Sequence, residues 1–262
     1  MSRLAPMTSA SLYAAGQGPR FRALLPHPQA DADIVAAYAY PDGLTRPWLR
    51  ANMVSSADGG AWGPSGRTVD LSSPPDRAVM SVLRGQADVV LAGAATARIE
   101  GYRPVRPREL WGDLREGRTE TPPLAVVTRT LDVHPDVLKG APPQSRTIVI
   151  TTESAPADRR REAAQTADVV VAGREWVRPE AALDALAERG LYRVLTEGGP
   201  HLLAEFAAAG LLDELCLTLS PRLLGPASAR IVAGDAPSHT RDLHMEGLLE
   251  SEGSLFIRYT RP

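Results

Sequence analysis

A chain of 262 residues, 44% hydrophobic and 23% charged, has the composition of a folded globular protein and can bury one large α/β core or two small ones. Its net charge of −2, from 29 Lys+Arg against 31 Asp+Glu, and the lack of any basic stripe argue against a nucleic-acid partner. One cysteine, Cys216 in the apolar run LCLTL, excludes a disulfide framework, and five histidines without ligand spacing leave no metal expected.

Residues 1–45 read as an N-terminal arm or add-on, rich in Ala, Pro and Gly, with a short helical candidate at 30–39. They hold no signal-type apolar core, and no run of about 18 apolar residues occurs, so a cytoplasmic location without membrane contact is expected. Residues 46–262 have a different rhythm and read as one domain. WLRANMVSS (48–56) is apolar and β-branched and stops at DGG, as a strand does. PPDRAVMSVLRGQ (74–86) predicts a helix, with Ser73 as cap, prolines in the first turn, and Ala78, Val79, Val82 and Leu83 on one face. DVVLAG (88–93), LAVVT (124–128), TIVIT (147–151) and DVVVAG (168–173) predict short buried strands. The polar stretch 101–122 is long for a loop in a compact domain and suggests a lid or substrate loop. PADRRREAAQTA (156–167) and PEAALDALAERG (179–190) predict helices, the second closed by Gly190. The strand YRVLTE, the helix after EGGP, a long strand LCLTLSPRLLG (215–225) and a final strand SLFIRYT (254–260) complete the chain. This alternation predicts a largely parallel sheet covered on both faces, made mixed by an antiparallel hairpin between 215–222 and 255–260.

Ligands of such sheets gather at the carboxyl ends of the strands. Four of those ends carry small residues, hydroxyls or glycines: SSADGG (55–60), AGAATARIE (92–100), VTRT (127–130) and TEGGPHL (196–202). Glycines before a helix allow close backbone approach, and the helix N-terminus offers free N–H groups and a positive dipole end, which suits a pyrophosphate. A plain strand-to-helix turn is the alternative, and no GxGxxG opens a dinucleotide fingerprint. Asp58 suits a turn as well as catalysis. Glu197, if partly buried, needs a partner, and Arg84 has a plain reading as a solvated helix-end charge. Trp48, Trp62 and Trp111 can stack on a ring, with packing as the simpler role.

RANMVSSADGG, LRGQADVVLAGAATARIEGYRP and VLTEGGPHLLAEFAAAGLLDELCLTLSPRLLG follow in that order and resemble the pyrimidine reductase of riboflavin biosynthesis, from about Pro47 to the C-terminus. The resemblance implies an α/β, dihydrofolate-reductase-like three-layer sandwich with a mostly parallel mixed sheet and helices on both faces. It implies NADPH as hydride donor and a ribosylamino-pyrimidine phosphate as substrate, its ribosyl group reduced to ribityl. By position, Gly198, Gly199, Pro200, His201, Leu202 and Leu203 would hold the diphosphate side of the cofactor. Thr96 and Glu100 would also face the cofactor, with Val54 and Asp70 on the nicotinamide side and Thr128 or Arg129 at the adenosine end. Glu197 and Arg84 would face the substrate, with Thr68 nearby and Arg84 as phosphate partner; Glu197 and Asp58 are the catalytic candidates.

Three departures surround the substrate mouth. The family usually has aspartate at Glu100, often Asp-Pro at Gly101-Tyr102, and Ser-x-Trp where Thr68-Val69-Asp70 stand. Neither HxE nor PCxxC occurs, so the deaminase often fused to this reductase is not expected. A dihydrofolate-type reductase on the same fold, or a cofactor-binding module without turnover, are the rival readings. A homodimer is expected, because the apolar strand of LDELCLTLSPRLLG would invite pairing if it lay at a sheet edge.

Overall fold

The computed structural model describes residues 18–108, 111–226, 228–235 and 240–262. In chain order the strands are β1 (Arg22–Leu25), β2 (Trp48–Ser56), β3 (Val89–Gly93), β4 (Leu124–Val127), β5 (Ile148–Thr151), β6 (Asp168–Val171), β7 (Arg193–Thr196), β8 (Glu214–Ser220), β9 (His244–Ser251) and β10 (Ser254–Thr260). The α-helices are α1 (Ile34–Ala37), α2 (Pro74–Gln86), α3 (Ala94–Glu100), α4 (Pro135–Leu138), α5 (Ala157–Ala164), α6 (Pro179–Ala187) and α7 (Pro200–Ala208). All strands join one sheet in the order β1-β9-β10-β8-β2-β7-β3-β4-β5-β6. From β8 to β6 neighbours run parallel, and the β10, β9 and β1 end is antiparallel. The sheet is therefore mixed and mostly parallel, with helices on both faces.

Helix α2 starts where its caps dictate. The Ser73 hydroxyl accepts from the Asp76 amide at 3.3 Å, and prolines occupy the first turn, where no N–H is needed. Its buried Val79, Val82 and Leu83 join Val90, Leu195, Cys216 and Phe256 in the core of one face. On the other face, Leu183 and Leu186 of α6 and Leu202 and Phe206 of α7 pack over Leu49, Leu91, Ile150 and Val194.

Two expectations change here. Part of the segment read as an arm is built into the domain: β1 pairs with β9, and Phe21, Ile34 and Tyr38 lie in the core. A buried ion cluster ties it down. Arg50 pairs with Glu214 at 2.9 Å and donates to the Tyr38 carbonyl at 2.7 Å, while Arg258 binds Glu214 at 2.6 Å and the Ala37 carbonyl at 3.0 Å. The indole of Trp48 also donates to Glu214, so that tryptophan serves packing. Second, β8 is no edge strand, since β2 and β10 flank it. It ends at Ser220, before Pro221. The expected antiparallel pairing of β8 with β10 is present, but the strand joined to β10 by a tight turn is β9, unforeseen in the sequence, with Glu252 and Gly253 at positive φ. Among the described residues, no helix is long and apolar enough to cross a membrane.

Candidate active site

Strands β3 and β7 are neighbours, so the stretches AGAAT and EGGP meet at the carboxyl edge. The two loops are stitched together: the Glu197 amide donates to the Leu91 carbonyl and the Gly93 amide to the Gly198 carbonyl, each at 3.0 Å. Gly198 adopts φ 96°, a conformation that favours glycine, and the Gly198–Gly199 peptide is cis. Gly199 is the N-cap of α7 and supplies no side-chain cap. Pro200 has no N–H to offer, so the first-turn amides of His201 and Leu202 are donors without an intrahelical partner. Leu203 differs from expectation: its amide is spent on the Gly199 carbonyl at 3.0 Å and its side chain is buried in the core. A Cβ on Gly199 would lie 2.3 Å from the Thr96 hydroxyl, so the two loops approach this closely, at what is here the notch, only because residue 199 is glycine. A hydroxyl, two amides without an intrahelical partner and a helix N-terminus meeting at this notch suit a diphosphate.

Beside this notch lies the principal charged group. Glu197 accepts from both Nε and Nη2 of Arg84, each at 2.6 Å, and from the Tyr102 hydroxyl at 2.6 Å. Its side chain is 4% exposed and that of Arg84 21%. Burial acts to raise the Glu197 carboxyl, but the charge and hydrogen bonds of Arg84, with Tyr102, hold it below its ordinary range. Asp76, at the start of α2, goes the other way: burial raises it despite the Ser72 hydroxyl at 2.6 Å. Two carboxyls within electrostatic reach are thus shifted in opposite directions.

Arg84 and Tyr102 open on a cavity of about 610 Å³, lined also by Thr68, Glu100, Arg103, Arg106 and Arg108. The 101–108 stretch is therefore a cavity wall. The following part of the predicted loop is not a lid: buried Trp111 donates to the Ser81 carbonyl at 2.9 Å, and Arg115 binds the Gly85 and Ala87 carbonyls at the end of α2.

The family model described as the RibD C-terminal domain matches residues 47–251. The chain belongs to the RibD C-terminal domain family. A relative from Archaeoglobus fulgidus, named 2,5-diamino-6-ribosylamino-4(3H)-pyrimidinone 5′-phosphate reductase, is 28% identical over 181 residues, 69% of this chain and 83% of the relative. A protein of the same name from Methanothermobacter thermautotrophicus is 27% identical over 82% of this chain and 98% of its own length. Among solved structures, a pyrimidine reductase-like protein from Corynebacterium diphtheriae superposes with a TM-score of 0.77 at 28% identity, covering 87% of this chain and 98% of that one.

Within this RibD-type domain the remaining expected residues part company. Glu100 turns away from the notch: it accepts from the Thr68 amide at 2.9 Å and lies 3.6 Å from Arg67, so it fixes the Thr68 loop at the cavity wall. Asp70 accepts from the amide and hydroxyl of Ser65, at 2.8 and 2.6 Å, and serves its own loop. Val54 is buried on β2 in register with Thr218. Asp58, a catalytic candidate from the sequence, is instead an anchor. It accepts from the Ser56 hydroxyl at 2.5 Å and from the amides of Leu224 and Gly225 at 3.1 and 2.7 Å, which hold its carboxyl down to about 2. Thr128 is buried and accepts from the Leu131 amide at 3.0 Å, a turn contact, while Arg129 lies outside on the same edge.

Sequence reading missed Tyr102 and Asp76. Tyr102 stands where the family often has proline, which was a signal of change but not of a partner. Removing its hydroxyl tests the contact. Tyr102→Phe keeps the ring in place but costs a charge-assisted hydrogen bond, about 1.5–3 kcal/mol. Substrate KM is expected to rise about tenfold while NADPH affinity, measured by fluorescence titration, stays within twofold. An unchanged KM would assign the hydroxyl a packing role only.

Proposed function

We propose that this RibD-type domain is an NADPH-dependent reductase of a phosphorylated ribosylaminopyrimidine, converting its ribosyl group to a ribityl chain. The observation that carries this reading is the Glu197–Arg84–Tyr102 cluster placed between the Gly199 notch and the 610 Å³ cavity. The two relatives are named for that class of reaction, and their lengths match the domain. The reduction forms a C–H bond at the anomeric carbon, breaks its bond to the ring oxygen, and needs one proton for that oxygen. Bound NADPH would supply the hydride. The protein's part is to place the two reactants and exclude water.

The first-turn amides of His201 and Leu202, with the Thr96 hydroxyl, would hold the diphosphate. Arg84, fixed on two sides by Glu197, keeps Nη1 for a substrate oxygen. Arg106 and Arg108 of the cavity wall favour a phosphorylated ligand, while Arg103 is paired with Asp136 at 3.0 Å. Asp76, whose carboxyl burial raises, is the candidate source of the proton the ring oxygen requires. Cofactor oxidation followed by absorbance, with a ribosylaminopyrimidine phosphate, with dihydrofolate, and with neither, tests the proposal. Turnover with dihydrofolate alone would replace it by the folate-type reading, and cofactor binding with no turnover on either substrate would leave a binding module.

The homodimer is also proposed, now on a different basis. Leu215, Leu217 and Leu219 of β8 stand beside Leu255, Ile257 and Tyr259 of β10 on the sheet face opposite Cys216 and Phe256. Each is only partly buried. An apolar face this continuous is uncommon on a monomer, and a two-fold copy of the same face covers both at once. Ile257→Asp is expected to convert a dimer into a 28.0 kDa monomer by light scattering, whereas a wild-type monomer at micromolar concentration would remove the proposal. The cell compartment that suits such a metabolic enzyme is the cytoplasm.

A further inference from the structure

Beyond the notch, the same edge of the sheet presents Trp176, which is 63% exposed. The guanidinium of Arg129 lies over this indole, 4.2 Å from the ring centroid. The tryptophan is held by its backbone. After β6, the Glu153 amide donates to the Gly173 carbonyl at 2.9 Å, Ser154 to Arg174 at 3.0 Å, and Arg178 to Ala172 at 2.7 Å. At Gly173, φ 143°, a Cβ would stand 2.0 Å from the Trp176 carbonyl oxygen, so this turn closes on glycine alone. A large aromatic surface is thus kept in water in one fixed position, where it gains nothing from burial.

Residues at the carboxyl edge lead from the notch toward this indole. His201 begins α7 at the notch, and Glu205 follows one turn later. Burial raises the Glu205 carboxyl, while Arg129 and then His201 draw it down, so both side chains lie within electrostatic reach of it. Arg129 follows β4, the neighbour of β3, and Trp176 follows β6, two strands further out. At about 4.8 Å per strand, β6 lies roughly 14 Å from β3. An extended nucleotide leaving the notch along the carboxyl edge covers that span.

We propose that Arg129 and Trp176 form a stacking clamp for the adenosine 2′-phosphate end of the cofactor. The purine lies on the exposed indole, and the guanidinium, steered by that ring, binds the 2′-phosphate. This rests on the reading that the protein takes NADPH, and it adds what that reading lacks, a residue that recognises the purine itself.

The test uses fragments that do not reach the nicotinamide site, titrated calorimetrically and by tryptophan fluorescence. In the wild-type protein, adenosine 2′,5′-bisphosphate should bind and change the emission of Trp176. Because each stacked base gains from an aromatic platform, Trp176→Ala should weaken that fragment and adenosine 5′-diphosphate alike by about tenfold. Trp176→Phe should recover most of the loss. Arg129→Ala should weaken only the 2′-phosphorylated fragment, again about tenfold, and erase the preference for NADPH over NADH. Because Trp176 is mostly exposed, its variants should melt with the wild type. Wild-type affinity of Trp176→Ala for both fragments, in a protein that binds NADPH, would overturn the clamp alone. No NADPH binding by the wild type would overturn the clamp together with the cofactor reading.

Discussion

Gly199→Ala is expected to weaken NADPH binding by about 100-fold, equivalent to about 2.7 kcal/mol, in a protein that still folds. The φ of Gly199 is −79°, which any residue adopts, so the new methyl group introduces no backbone strain. Its effect is local. It would sit 2.3 Å from the Thr96 hydroxyl and must either displace that side chain or push the two loops apart. Both outcomes fill or deform the notch in front of the His201 and Leu202 amides. A Thr96→Ala/Gly199→Ala double variant separates the two costs. It removes the collision, so its melting temperature should return to near wild type, while the affinity stays low because the notch remains filled. Calorimetric titration and thermal melts on the same three proteins decide the matter. If Gly199→Ala binds NADPH as the wild type does, the notch does not hold the diphosphate.

Glu197→Gln should reduce turnover by about 100-fold and also lower stability. A simple turn residue would do neither. The carboxylate is buried and neutralises Arg84 through two hydrogen bonds. An amide offers one acceptor and turns an N–H toward the guanidinium, leaving a mostly buried cation unpaired. Breaking a buried pair from one side costs about 3–5 kcal/mol, which at roughly 2–4 °C per kcal/mol for a domain of this size lowers the melting temperature by about 10 °C. NADPH affinity should change by less than about threefold, since the first-turn amides of α7 are untouched.

The same pair makes a pH prediction. The folded-state pKa of Glu197 lies below its ordinary value of 4.5, so its contribution to stability is complete above that pH. It is lost as pH falls through the lower, folded value, when the carboxyl protonates. The stability difference between wild type and Glu197→Gln, from denaturant melts, should therefore be constant from neutral pH down to about 4.5 and shrink below it. A difference that persists unchanged in acid would mean that the carboxylate charge is not what Arg84 needs.

Both experiments probe contacts that local sequence pattern announces only in part. EGGP marked a junction where a backbone could approach an anion, and Glu197 marked a carboxylate in need of a partner. The family resemblance put Arg84 at the same mouth, but as a partner of the substrate phosphate; its two hydrogen bonds to Glu197 came only from the structure. Tyr102 was not within reach. Its hydroxyl meets Glu197 across 95 positions of sequence, and no periodicity carries that distance. Asp58 shows the converse. Asp-Gly-Gly is a turn signal that also suits a catalytic loop, and only the arrival of the Leu224 and Gly225 amides showed where its oxygens are spent.

Where an element is stabilised by its own residues, the sequence by itself determined it. Helix α2 begins and ends at the residues its cap, prolines and apolar face predict, and β2 and β10 match their apolar runs residue for residue. The alternation of such segments was enough for a mostly parallel sheet with both faces covered. Elements that exist only through their neighbours were decided by the tertiary structure. β1 is four residues long and survives by pairing with β9; β9 is polar along its first half and survives by pairing with β10. The central position of β8, which moves the proposed dimer contact from a strand edge to a sheet face, follows from those same pairings. So does the meeting of Thr96 with Gly199, about a hundred residues apart. Caps, turns and hydrophobic period act over a few residues and leave their mark in the local sequence. Strand pairing and ion pairing act between surfaces that come together only after the chain has closed long loops, and the free energy that holds them is a property of both partners, not of either segment.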